Sequence, residues 1–155
     1  QGYQNYLIDI GSENYAKGVN VDQSYFKIGI EIPHDMNNSE DNKFNFVVQL
    51  HDEAIATSGN YKQFYLKEGK RYSHIIDPQT GYPAQNNLAS VTVITKTCMR
   101  ADTMNTAFMV MGLEKSLKYV NAHPEMDAIF IIRKNDLEFE YVLSKGFSKR
   151  LVKSK

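Results

Sequence analysis

The sequence predicts an α+β fold: a largely antiparallel mixed sheet with a helix pair packed on it. Three observations point there. Residues 25–32 and 88–95 are rich in β-branched and aromatic side chains and read as strands. Several such runs sit next to one another across short polar turns, the spacing of hairpins. Residues 100–111 and 113–122 instead carry apolar side chains at three- and four-residue intervals, the signature of helices with one buried face.

In chain order, residues 3–10 form a strand, Gly11-Ser12-Glu13-Asn14 turns it, and Tyr15 begins the return. A strand over 25–32 is stopped by Pro33, and 34–45 is a polar loop. Residues 46–50 and 53–58 read as a hairpin pair across His51-Asp52, and 63–66 with 71–76 as another across Lys67-Glu68-Gly69. Leu88 to Thr95 is a strand. The helix after it is broken by Gly112, and a second runs from Leu113 to Ala122. Residues 128–132 and 137–142 close the fold as an antiparallel pair.

A chain of 155 residues fits one domain spanning 1–155, long enough to bury a core. Its 18 acidic and 18 basic residues balance and are interspersed, which argues against a nucleic-acid binder with a basic stripe. The basic run Lys145, Lys149, Arg150, Lys153, Lys155 reads as a solvated tail. Cys98 is the only cysteine, so no intrachain disulfide forms. No apolar run approaches the ~20 residues of a membrane span, and Gln1-Gly2-Tyr3-Gln4 has neither the basic start nor the apolar stretch of a signal peptide. The start falls inside an expected strand, so the chain reads as a cut or processed product with any targeting segment upstream.

Two segments carry chemistry. His74-Ile75-Ile76-Asp77-Pro78-Gln79-Thr80-Gly81-Tyr82-Pro83 joins an imidazole, a carboxylate and a hydroxyl to a reversal specified by Asp, Pro and Gly. A histidine leaving a strand beside such a turn is positioned at little entropic cost; the plainer reading is a turn-capping Asp beside a surface His. On the first helix, Asp102 and Thr106 stack four residues apart with Asn105 beside them. A carboxylate, a hydroxyl and an amide oxygen form an oxygen-only cluster of the type magnesium prefers. The structural alternative is a carboxylate near the helix N-terminus and a Thr bonded back to its own helix.

With these motifs in their order, the chain resembles the family of FAD:protein FMN transferases, once described as thiamine-biosynthesis lipoproteins. The resemblance rests on Ala54-Ile55-Ala56-Thr57-Ser58-Gly59-Asn60-Tyr61, on Gly69 through Pro83 with its His-x-x-Asp-Pro-x-Thr-Gly element, on Ala89 to Ile94, and on the Asp-x-x-x-Thr of Asp102 and Thr106. It covers nearly the whole chain but only the C-terminal half of the family's pattern. Where the family usually has Gly-Gly, this chain has Gly11-Ser12. A faint echo of the missing half at Ala16-Lys17-Gly18 is accidental by its spacing to residues 26–30.

The resemblance implies transfer of FMN from FAD to a Thr or Ser hydroxyl of a partner protein, releasing AMP, with Mg²⁺ held by Asp102, Asn105 and Thr106. The substrate FAD would meet Thr57, Ser58, Gly59, His74, Thr80 and Gly81. His74 is the natural proton-transfer group, since its unperturbed pKa of ~6.5 lies near working pH, and Asp77 either orients it or is itself the base. The resemblance also implies an extracytoplasmic, periplasmic-side location, with membrane attachment only through an N-terminal anchor outside this sequence. Three other readings are a flavin-binding protein without transfer, an FAD pyrophosphatase, and a truncated domain inactive alone. Tyr61, Tyr72 and Tyr82 are candidates for ring stacking among ten tyrosines. His34, His51, His123 and Cys98 fall outside the motifs and read as structural.

Overall fold

The computed structural model describes residues 2–31, 44–61, 64–67, 70–135 and 138–152. Its spine is a six-stranded sheet built from β1 (Tyr6–Ile10), β2 (Glu13–Lys17), β5 (Glu53–Gly59), β8 (Leu88–Thr95), β9 (Asp127–Arg133) and β10 (Phe139–Leu143), in that spatial order. Two further pairs stand apart: β3 (Phe26–Glu31) with β4 (Phe44–Leu50), and β6 (Phe64–Lys67) with β7 (Lys70–Ser73). Every pairing among the described strands is antiparallel. The expected α+β class, with a largely antiparallel sheet and a helix pair, is what the chain forms.

Strand alternation divides the sheet's two faces. Val91 and Val93 of β8 and Ala128, Phe130 and Ile132 of β9 pack with Phe108, Met109 and Val120 of the helices. Ile55, Ile94 and Ile129 point the other way, onto Ile30, Val48 and Leu50 of the β3–β4 hairpin and onto Phe147. Helices, sheet and hairpin thus make three layers, and β8 in the middle is buried along its whole length.

The first helix, α1, runs Cys98–Met111 and lies over β5 and β8. Thr97 caps it in extended geometry, its hydroxyl accepting the Arg100 N–H at 3.3 Å. Gly112, at φ +77°, ends it and starts α2 (Leu113–Ala122).

Two expectations are corrected here. Residues 46–50 and 53–58 do not form a hairpin: β4 pairs with β3, whereas β5 is flanked by β2 and β8. At His51-Asp52 the chain crosses between layers, with Asp52 at φ +52° and its Oδ1 accepting the Gly18 N–H at 2.8 Å. Nor is the segment after Lys145 a solvated tail. Phe147 is fully buried, residues Phe147–Arg150 form a 3-10 turn, and Leu151 bridges Val48. Arg150 reaches two nearly buried carboxylates, with Nε donating to Asp127 Oδ2 at 3.0 Å and a second nitrogen donating to Glu53 Oε2. Burial opposes its charge, yet those two partners hold its pKa above the ordinary value. Lys153, Lys155, His34 and most of the polar loop at 34–45 lie outside the described residues.

Candidate active site

The His74 segment leaves β7 and folds into a closed loop. Ser73 is buried, and its Oγ accepts the Ile75 N–H at 3.0 Å. Farther on, the Ala84 N–H reaches Ile75 O at 2.9 Å, the Asp77 N–H reaches Tyr82 O at 2.9 Å, and Ile76 bridges Pro83. The tip is tied by the Gly81 N–H to Asp77 O at 2.8 Å, with Gly81 at φ +73°. Nothing lies within 4 Å of where a Cβ would sit, so only that backbone angle calls for glycine. Asp77 Oδ1 accepts the Gln79 N–H at 2.8 Å, which makes this carboxylate a turn-former whatever else it does.

The frame aims His74 into a cleft of about 820 Å³. The end of β5 (Thr57, Ser58, Gly59), Tyr61, β1, β2 and the β3 face make up the rest of its walls. Alternation sends neighbouring hydroxyls to different sides. Thr57 faces the hairpin layer, where its Oγ1 lies 2.8 Å from that of Thr92, while Ser58 meets Thr106 of α1, oxygen to oxygen, at 3.1 Å. Gly59 serves packing: a Cβ there would meet the Tyr61 ring at 2.5 Å, so the glycine lets that ring fold back.

Of the helix cluster, Asp102 and Thr106 are exposed one turn apart. α1 begins at Cys98, so Asp102 sits in the second turn, beyond the reach of the helix-terminus explanation. Asn105 sits beneath these two. It is fully buried, its Oδ1 accepts the Thr106 hydroxyl at 3.0 Å, and its Nδ2 has no partner among the described residues. That amide holds Thr106 from beneath. The remaining donors fit part of a magnesium shell: Asp102 and Thr106 would offer two oxygens open to solvent, of the type that ion takes. Among the described residues there is no cluster of three or more His, Cys, Asp or Glu.

The structure therefore gathers Thr57, Ser58, Gly59 and His74 on one cleft and links it to Thr106, and through the helix to Asp102. Thr80 and Gly81 do not line it; they sit exposed at the loop tip. Tyr72 stacks on Tyr65 at 5.0 Å and Tyr82 is exposed, leaving Tyr61 as the tyrosine on the cleft. His51 stacks on Tyr25 at 4.3 Å, and His123 stacks on Tyr119 at 4.0 Å as a helix-end residue. Sequence reasoning missed the facing wall of Asp9, Lys27 and Glu31. The alternation of Lys27, Gly29 and Glu31 with Ile28 and Ile30 was its signal, one polar face on an otherwise apolar strand. Cys98 is half-buried: burial, with help from the Glu13 and Asp102 charges, pushes its thiol above the ordinary pKa against a lowering backbone hydrogen bond.

Fold and site together define an α+β domain with a polar cleft beside a helix-borne carboxylate. The chain belongs to the ApbE family, whose model matches residues 1–130. It is similar to the FAD:protein FMN transferase of Vibrio cholerae, 40% identical over 144 residues, covering 93% of this chain and 42% of that protein. The FAD:protein FMN transferase of Escherichia coli K12 is 37% identical over 155 residues, all of this chain and 42% of the relative. Among solved structures, the flavin transferase ApbE from Vibrio cholerae superposes with a TM-score of 0.80 at 39% identity, over 97% of this chain and 46% of that one. The ApbE protein of Thermotoga maritima, at 24% identity and a TM-score of 0.78, shares the fold. The chain spans less than half the length of these relatives.

Proposed function

We propose that this chain is the part of an FAD:protein FMN transferase that carries the metal and proton-transfer groups, moving FMN from FAD to a Thr or Ser hydroxyl of an acceptor protein. One observation carries the reading: the Ser58–Thr106 contact ties the helix bearing Asp102 to the cleft into which His74 projects. In the reaction, the acceptor oxygen forms a bond to the phosphorus of the FMN moiety. The bond from that phosphorus to the bridging pyrophosphate oxygen breaks, and AMP leaves with the electron pair. His74 takes the hydroxyl proton, and the closed loop with its Asp77 turn holds the imidazole in place for it. Thr57 offers its hydroxyl to a phosphate oxygen on the hairpin side of the strand end, while Ser58 holds Thr106 on the helix side. Asp102 and Thr106 are the side chains that would hold Mg²⁺, which when bound neutralises charge on the pyrophosphate. Extracytoplasmic placement follows from the family resemblance. Among the described residues, no helix is long and apolar enough to cross a membrane.

The test is incubation with FAD and Mg²⁺, following AMP release. Asp102→Ala is expected to abolish the Mg²⁺-dependent part, and His74→Ala to lower the rate about 100-fold or more. FAD binding without AMP release would leave a flavin-binding domain. Release with no flavin on a Thr-bearing acceptor would identify a pyrophosphatase.

A further inference from the structure

We propose that a second cavity, of about 530 Å³, seats the backbone of the acceptor segment that receives the flavin phosphate; the assignment rests on the transfer reading above. The two cavities share a wall, and the chain alternates between them. Gly59 and Tyr61 line the His74 cleft while Asn60 between them lines the second cavity. Tyr72 and Ser73 line the second cavity and the next residue, His74, lines the cleft. In-line displacement at phosphorus requires the attacking oxygen and the leaving group on opposite sides. A donor in one cavity and an acceptor entering from the other, with His74 on the wall between, meets that requirement.

The chemistry of the lining selects a peptide. Asn60, Gln85 and Asn87 are carboxamides, each offering a donor and an acceptor as a peptide group does. Among the described residues no carboxylate lines the cavity, and Arg133, whose guanidinium lies 4.9 Å from the centre of the Phe139 ring, is the one cation. A nucleotide's phosphates would call for more positive charge. Asn60 is the sharpest indicator. Its Nδ2 donates to Leu88 O at 2.8 Å, which fixes the amide, while its Oδ1 is buried with no partner among the described residues. That oxygen calls for a hydrogen-bond donor, which a backbone N–H supplies and an ionised phosphate does not. The volume lies within the ~300–1,000 Å³ of ordinary ligand sites.

The test uses N-acetyl-threonine N-methylamide, one hydroxyl flanked by two peptide groups, titrated into the ¹⁵N-labelled protein, with FAD titrated separately by flavin fluorescence. Saturable shifts are expected at Asn60, Tyr72 and Gln85 to Asn87, including the side-chain amides. Gln85→Trp, which fills the opening from an exposed position, and Asn60→Leu, which removes the acceptor, should each weaken binding at least about tenfold. Absence of groove shifts in a protein that binds FAD, or shifts confined to the His74 cleft, overturns the groove. Groove shifts in a protein that binds no FAD support the peptide site and sink the transfer reading instead.

Discussion

Replacing Arg150 with methionine tests what holds β5 and β9 in place. Arg150 is shared by Glu53, at the start of β5, and Asp127, at the start of β9, whose carboxylates belong to residues only 6% and 7% exposed. Removing one partner from a buried charge pair costs about 3–5 kcal/mol, because the remaining charge is left unpaired. Three features reduce that here. The Arg150 side chain is 26% exposed, Lys96 Nζ stays 3.6 Å from Glu53 Oε1, and Ser144 Oγ still donates to Asp127 Oδ1 at 3.1 Å. A loss of about 2–4 kcal/mol follows, equivalent for a domain of this size to a Tm drop of about 4–16 °C. Urea denaturation monitored by circular dichroism, with calorimetry for Tm, measures it. Adding Glu53→Gln and Asp127→Asn should recover much of the loss, since the variant then buries no unpaired charge. An Arg150→Met protein within about 0.5 kcal/mol of wild type would refute the argument, for that is the spread of ordinary surface substitutions.

Further outcomes can be measured alongside. Gly146→Ala would place a Cβ 2.2 Å from Asp127 Oδ1 and strain the same anchor, so a loss of about 1–3 kcal/mol is expected by denaturation. Gly59→Ala puts its methyl 2.5 Å from the Tyr61 ring; swinging that ring into the cleft should weaken FAD binding with little change in stability, as read by flavin fluorescence and thermal melts. The raised thiol pKa of Cys98 should make iodoacetamide alkylation slower than for a free thiol near pH 8, with the rate rising only at higher pH. The sign for stability follows: from ~8.5 upward the unfolded chain ionises first, so this group's contribution falls as pH rises toward the folded pKa.

Much of this architecture is legible in the residues. Leu88–Thr95 and Leu113–Ala122 form over the lengths their patterns dictate, because a continuous β-branched run and a helix started at a glycine each have one good solution. The His51-Asp52 crossing was not legible. Alternation tells which face of a strand is buried, but not which edge is already taken, and both edges of β5 are occupied by β2 and β8. Arg150 was hidden by the lysines around it; Phe147 and Leu151, four apart, were the overlooked sign that one side of this segment is buried. Asn105 was legible after all. It lies four residues after Ala101 and three before Phe108, both fully buried, and the same periodicity turns it inward. The second cavity was not, since its lining comes from Asn60 just past β5, from β7, the 83–87 loop, the start of β8 and the end of β9, which only the tertiary fold assembles.

The attachment of residues 150–152 bears on the order in which the cleft forms. Leu151 bridges Val48 and the Val152 N–H reaches Val47 O at 2.8 Å, so the late chain extends the β3–β4 hairpin that walls the cleft. Strands β5, β8 and β9 can pair, with α1 on them, before that stretch has left the ribosome. The hairpin wall is locked only afterwards, through contacts about 100 residues apart in sequence, whose closure is entropically slow. A nascent chain halted after β10 would therefore display its sheet and helices with one side of the cleft unlatched, and the cleft would take its shape only once residues 147–152 had emerged.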